Sequence, residues 1–283
     1  MSKTVIIDAG HGGTDPGAKG FGVNEKDWTL SISLYQYRRL KECGVDVALT
    51  RQSDVSLNPT QRIARIRNQY DLCVSNHWNA FNSQARGVET IHSIHAKADF
   101  ARALAEKLAH TTGLPLRRVF TREIRKGVDY YYMHRLTGNT ETVIVEYGFI
   151  DNQVDHHYYL EQNNFISAAE AVVECICKKV GVRYQPPTKK TAHHLPDYPA
   201  NDKAKSLPGF KGFRLESIHN GELRFYNKPS WSDDDVFGFM KKGQMFTEIL
   251  DKLKVGSGEQ YKVRNARGQV FYVTASPKFV RIV

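Results

Sequence analysis

Over its first 180 residues the chain alternates short apolar runs of strand length with longer segments of helical periodicity. That alternation is the pattern of an α/β domain, a sheet with helices packed on it. Thr4–Asp8 reads as a short buried strand that runs into a glycine-rich loop, DAGHGG. Asn24 is suited to cap a helix reaching about Cys43, with Gly44 as its stop. Val45–Thr50 is the next strand, and Asn58-Pro59 opens a second helix with asparagine at the cap and proline at the first helical position. Asp71–His77 and Val88–Ser93 read as the third and fourth strands. Lys97–Thr112 is helical, with Phe100, Leu104 and Leu108 on one face and Gly113 ending it. Thr142–Phe149 is a strongly apolar strand, and Asn164–Val180 a final helix with Ile166, Val173, Ile176 and Val180 on one stripe.

The character changes at residue 183. The stretch 183–208 holds five prolines and almost no large aliphatic residues, which is the composition of an extended linker. From Phe210 short strand-like runs follow one another (LRFY, GQMFTEI, QYKVRNA, GQVFYVTA, FVRIV), with Gly, Asn, Ser and Pro between them. The expected organisation is therefore an α/β domain over 1–182, a linker over 183–208 and a small all-β domain over 209–283. No run of eighteen apolar residues occurs, so no membrane span is expected. The N-terminus has no apolar stretch of signal-peptide length, which predicts synthesis and initial residence in a cytoplasm. Cys43, Cys73, Cys175 and Cys177 lack zinc-finger or thioredoxin spacing and read as reduced, small hydrophobes.

The net charge of +10 is uneven: +2 over residues 1–180, +3 over 181–208 and +5 over 209–283. A nearly neutral α/β part offers no basic groove, which argues against a nucleic-acid partner. The basic tail suits an anionic polymer such as a cell wall with acidic glycopolymers.

A zinc hydrolase site needs three protein ligands and an open position for water. His11 follows a buried strand at its carboxyl end, where open α/β sheets place ligands. Gly10, Gly12 and Gly13 around it let backbone approach closely. Glu25 stands one residue after the helix cap, and His77 ends the strand DLCVSNH. Each has a plainer reading: Glu25 as an acidic first-turn residue favoured by the helix dipole, His77 as a polar strand end. Glu146 interrupts the apolar run TVIVEYGFI. A buried carboxylate needs a compensating charge, either a metal centre or an arginine. His92 and His95 are expected at the surface, and His156-His157 and His193-His194 in solvent. Tyr130–Tyr132 reads as a half-buried aromatic strand, with a substrate groove as the alternative.

The opening IIDAGHGGTDPGAKGFGVNEKD resembles that of the zinc N-acetylmuramoyl-L-alanine amidases of bacterial autolysins and phage endolysins. LTR at 49–51, SNHWNA at 75–80, GVET at 87–90 and VIVEYGFIDN at 143–152 match in the same order, so the resemblance covers residues 3–180. It implies a twisted mixed sheet flanked by helices, one zinc ion held by His11, Glu25 and His77, and Glu146 as the catalytic glutamate. It also implies hydrolysis of the amide between N-acetylmuramic acid and L-alanine in peptidoglycan. Two departures stand out: DAG replaces the more usual DPG, and Asn76 precedes the histidine where an aliphatic residue is common. The stretch GELRFYNKPSW resembles the wall-binding modules of endolysins from phages of Gram-positive bacteria, which implies a Src-homology-3-like barrel. Most of its aromatics must build the small core, with Trp231 a candidate for exposure to glycan. The expected setting is a phage endolysin, monomeric, acting on a Gram-positive wall after release. The alternatives are a mother-cell autolysin of sporulation and a non-catalytic wall-binding protein.

Overall fold

A computed structural model describes residues 3–187, 213–265 and 269–283. The chain divides into two compact units, Met1–Ala200 and Asn201–Val283. Most of the expected 183–208 linker, and with it His193-His194, lies outside the described residues. The first residues of that stretch are docked: Tyr184 donates its hydroxyl to Glu170 at 2.7 Å, and the Gln185 carbonyl accepts from Arg39 at 2.5 Å.

The first unit runs β1 (Thr4–Ala9), a small hairpin of β2 (Lys19–Gly20) and β3 (Val23–Asn24), α1 (Glu25–Glu42), β4 (Asp46–Leu49) and α2 (Pro59–Ala64). It continues with β5 (Leu72–Asn79), β6 (Val88–His92), α3 (Asp99–Thr112), β7 (Leu116–Phe120) and a hairpin of β8 (Glu123–Arg125) and β9 (Val128–Asp129). α4 (Tyr132–Arg135), β10 (Glu141–Phe149), α5 (Gln153–Leu160) and α6 (Gln162–Val180) complete it. Six strands form one sheet in the order β4-β1-β5-β10-β6-β7. β4, β1, β5 and β10 are parallel, β6 is antiparallel to β10, and β7 is parallel to β6. The expected mixed sheet is thus present.

Strand alternation assigns the two faces. Val5, Ile7, Leu72, Val74, Val143 and Val145 pack on one side with α1, α3 and α6. Ile6, Cys73 and Ile144 face the other side, against Ile63, Ile66 and Met133 from the segments around α2 and α4. Helix ends follow local chemistry. Asn58 and Gln61 form a reciprocal capping box with Pro59 in the first turn. Gly113 stops α3 in the left-handed conformation at φ 70°. Asn24 stands at the N-cap of α1, but its side chain reaches Asp27 rather than a backbone N–H.

Three expectations change. Tyr130–Tyr132 is not a strand: β9 ends at Asp129, Tyr131 precedes α4 and Tyr132 starts it. The segment after β10 forms α5, and His156 is fully buried instead of solvated. Its ring lies 4.8 Å from that of Phe21 and 4.9 Å from that of Trp28, and its Nδ1 lies 3.0 Å from the Ile150 carbonyl. His157, the other half of that pair, is half-buried. His92 is also half-buried, while His95 is exposed beyond the strand end. All four cysteines are unbridged, and only Cys175 is not fully buried.

One charged pair sits inside the sheet end. Asp8 is fully buried and accepts from Arg62, from Thr50 at 2.7 Å and from Ser75 at 2.7 Å. Burial alone raises the Asp8 carboxyl, but Arg62 and the two hydroxyls outweigh it and hold it below the ordinary carboxylate value. Asp8→Ala leaves the Arg62 guanidinium uncompensated, so urea unfolding at pH 7 should show a loss of about 3–5 kcal/mol. Because the folded pKa is depressed, this contribution is complete above the ordinary value of 3.8 and fades as pH falls through the folded value. The gap between wild type and variant should therefore narrow only in acid.

The second unit contains β11 (Leu215–Ser217), β12 (Leu223–Tyr226), β13 (Val236–Met240), β14 (Met245–Phe246), β15 (Glu248–Val255), β16 (Gly258–Arg264), β17 (Val270–Thr274) and β18 (Val280–Ile282). They form a five-stranded sheet, β13-β12-β17-β16-β15, and a three-stranded one, β14-β11-β18. Leu215, Tyr226, Phe246, Ile249, Val263, Phe271 and Val273 are buried in it. Among the described residues every strand pairing within it is antiparallel, and the unit is all-β, as the short, turn-punctuated runs predict.

Candidate metal centre

β1, β5 and β10 are consecutive parallel neighbours, so their carboxyl ends open at one edge of the sheet. His11 lies two residues past β1, His77 is near the end of β5, and Glu146 pairs in register with His77 on β10. Residues in register on parallel strands project to the same face, which places Glu146 beside His77. Glu25 enters from the first turn of α1.

The structure brings His11, Glu25 and His77 together, with one ligand-type atom from each lying within 4.8 Å of the others. Glu25 is 3% exposed, and its two oxygens divide between the histidines. Oε2 lies 3.0 Å from His11 Nε2, and Oε1 lies 2.9 Å from His77 Nδ1. Backbone N–H groups of Ala18 and Trp78 donate to the same two oxygens at 2.7 and 3.0 Å, fixing the carboxylate plane. Burial opposes its ionisation, but the two histidines overcome that and bring Glu25 down to about 2. Burial likewise disfavours a charged His11, yet Glu25 and Asp15 raise it above the ordinary imidazole value.

Asp15 was not legible as part of the site. Its Oδ2 lies 2.8 Å from His11 Nδ1, the ring nitrogen turned away from Glu25. A carboxylate on the outer nitrogen fixes the tautomer and orientation of a ligating histidine. His11 itself adopts φ 59°, an uncommon left-handed conformation outside glycine, held by the bridge between Gly12 and Asp15.

The loop needs its glycines for space. A Cβ on Gly10 would lie 2.3 Å from the His77 ring, and one on Gly17 would lie 2.5 Å from Glu25 Oε2. Gly10→Ala must displace the His77 imidazole. Metal affinity, read by competition with a colorimetric chelator, should fall by about 10–100-fold.

The two departures from the family pattern have structural counterparts. Ala9, in place of proline, keeps a backbone N–H that donates to Thr50 at 3.2 Å. Asn76 is fully buried, and a polar network receives it. Its amide donates to Ser33 at 2.8 Å and to Gln36 at 2.7 Å, and its carbonyl accepts from Tyr147 at 2.8 Å. Gln36 in turn donates to the Tyr147 hydroxyl at 2.6 Å, which satisfies the cluster.

Glu146 is half-buried rather than wholly enclosed. Its Oε2 is shielded and makes no hydrogen bond among the described residues. Burial and the nearby carboxylates of Glu25 and Glu89 push its carboxyl well above the usual range, against a smaller pull from Arg118. Glu89, its antiparallel partner on β6, is fully buried and paired with Arg117 and Arg118.

The donor set fits a divalent ion. Two imidazole nitrogens and one carboxylate are a ligand set of catalytic zinc, and Glu146 beside them is the only one of the four predicted residues left unpaired. Among the described residues no other group of three or more metal-ligating side chains occurs.

A family model described as N-acetylmuramoyl-L-alanine amidase matches residues 5–178. The chain is 36% identical over 152 residues to N-acetylmuramoyl-L-alanine amidase BlyA of Bacillus subtilis, covering 50% of this chain and 40% of that one. An endolysin of Bacillus phage SPP1 is 29% identical over 293 residues, covering 100% of this chain and 99% of that protein. Among solved structures, the catalytic domain of the amidase CwlV from Paenibacillus polymyxa superposes with a TM-score of 0.58 at 27% identity, covering 64% of this chain and 99% of that one. With the family model spanning all but the first residue of the sheet and all four candidate residues, this chain belongs to the N-acetylmuramoyl-L-alanine amidase family.

Proposed function

We propose that the chain is a zinc-dependent peptidoglycan hydrolase that cuts the amide between N-acetylmuramic acid and the L-alanine of the stem peptide. The observation that carries this reading is the convergence of His11, Glu25 and His77 beside the unpartnered Oε2 of Glu146. A zinc ion held there supplies Lewis acidity, which activates water and polarises a carbonyl. His11, Glu25 and His77 hold the ion, and Asp15 orients His11. A cation held beside Glu146 would favour its ionised form, which then takes the proton of the attacking water and delivers it to the leaving amine of L-alanine. Mass spectrometry of digested Gram-positive peptidoglycan tests the bond. Stem peptides starting with a free L-alanine are expected, and new reducing sugar ends would assign the cut to the glycan instead.

The setting is a Gram-positive wall. The bacterial autolysin reading has the stronger support, because named amidases of Bacillus and Paenibacillus match the catalytic unit in sequence and fold. The phage-lysis reading rests on the SPP1 endolysin, which matches across both units. In either case the substrate lies outside the membrane, in the cell wall.

The second unit is assigned to wall binding through a Src-homology-3-like barrel. Its +5 charge suits an anionic wall polymer. Phe237 and Phe239 of β13 are 57% and 53% exposed; Phe237 sits at a bulge with its ring against Phe225 and Phe271, and Phe239 lies opposite Arg224. They fit glycan stacking better than Trp231, whose indole N–H is committed to the Val255 carbonyl at 2.7 Å. Alanine at both phenylalanines should cut co-sedimentation of the full chain with walls by about tenfold, within the range for losing aromatic stacking. Hydrolysis of a soluble muropeptide should stay unchanged.

A further inference from the structure

Beside the metal centre, a cleft of about 310 Å³ is lined by Asn79, Phe81, Arg117, Arg118, Arg122 and Tyr131, among others. It belongs to the same edge of the sheet: Asn79 follows His77 by two residues on β5, and Glu89, which pairs in register with Glu146, binds two of the arginines.

The arginines are ordered by stacking. Arg117 lies 5.4 Å from the Phe149 ring centre, Arg118 lies 3.9 Å from that of Phe120, and Arg122 lies 3.7 Å from that of Tyr130. A guanidinium laid on a ring keeps its N–H edge in a fixed plane, which is the preorganisation that bidentate carboxylate recognition uses. Charge is left over. Glu89 supplies one negative charge to Arg117 and Arg118, whose side chains remain 36% and 48% exposed. Arg122 forms no ion pair among the described residues; its carbonyl accepts from Tyr130 at 2.7 Å, and its side chain faces the tyrosines. Neutralising Glu89 therefore does not account for the cluster.

We infer that this cleft is a subsite for a carboxylate on the stem peptide, one or two residues beyond the scissile amide, with Arg117 and Arg122 as its main donors. The inference rests on the amidase reading above for the orientation of the substrate. The peptide side is the one that fits. The lactyl carboxyl of muramic acid is consumed in the scissile amide, whereas the peptide beyond L-alanine carries carboxyl groups that are either free or amidated. The exposed ring of Phe81 at the rim adds apolar surface for the peptide backbone. The subsite makes the enzyme sensitive to amidation of the stem peptide, a discrimination the metal centre alone does not provide.

The test uses the full, zinc-loaded chain and two probes, L-alanyl-D-glutamate with its γ-carboxyl blocked as an amide and its α-carboxyl free, and the α-carboxamide twin of that compound, titrated by calorimetry. The muramoyl derivatives of both are assayed in parallel. A charge-assisted bond to a preorganised arginine predicts about a 10–100-fold preference for the carboxylate form in both Kd and kcat/KM. Arg122→Gln, at a side chain outside any ion pair, and Arg117→Gln should each reduce that preference without weakening binding of the carboxamide. Equal binding of the two probes, no measurable binding of either, or a preference that survives both substitutions would overturn the subsite. Carboxylate preference without cleavage of either muramoyl derivative would instead keep the subsite and remove the amidase reading. Cleavage without preference would do the reverse.

Discussion

Glu146→Gln should reduce release of L-alanine amines from peptidoglycan by about 100- to 10,000-fold, the range for losing a positioned proton carrier. The glutamine keeps the size of the side chain and the strand, since Glu146 makes no hydrogen bond through Oε2 that the fold depends on. His11, Glu25 and His77 are untouched, so zinc content should stay at one ion per chain by atomic emission. Loss of activity with metal retained separates a proton-transfer role from a ligand role. Loss of metal together with activity would instead move Glu146 into the coordination sphere.

The second large effect is expected at Glu25. It is the only carboxylate of the ligand set, it lies between both histidines, and two backbone donors lock it. Glu25→Ala removes a ligand and leaves the N–H groups of Ala18 and Trp78 without their acceptor. Zinc affinity should fall by more than about 100-fold, beyond the loss typical of outer-shell changes. Activity should fall with it and return in part at high added zinc. Unfolding with and without zinc gives an independent reading, because an ion bound only by the folded chain raises stability by mass action. Wild type should gain melting temperature with zinc, and Glu25→Ala should gain little.

Much of this site was legible because the three candidate ligands stand at or near element boundaries. His11, Glu25 and His77 follow or end runs whose period is clear. Their convergence followed once β1 and β5 proved to be adjacent. Glu146 was visible as a charge inside an apolar strand, although its half-open position was not, since that depends on how the sheet edge is covered. Asp15 escaped notice because an aspartate in a glycine-rich turn has the ordinary role of a turn residue. β7 escaped because LRRVF has its arginines exposed on an edge strand, where apolar alternation is weak. Burial of His156 depends on Phe21 and Trp28, far away in sequence, and no local pattern carries that contact. Asn76 looked like a departure, and only the fold reveals Ser33, Gln36 and Tyr147 as its partners.

The proposed function places one zinc ion on His11, Glu25 and His77, with Glu146 beside it, for hydrolysis of the muramoyl–alanine amide. The most direct measurement follows newly exposed N-terminal alanine during digestion of Gram-positive peptidoglycan by the purified chain, before chelation, after chelation and after zinc is restored. Release should stop with the chelator, resume with zinc and be missing from zinc-loaded Glu146→Gln. Alanine release that continues in the metal-free protein, or release of reducing sugars in its place, would contradict the proposed function.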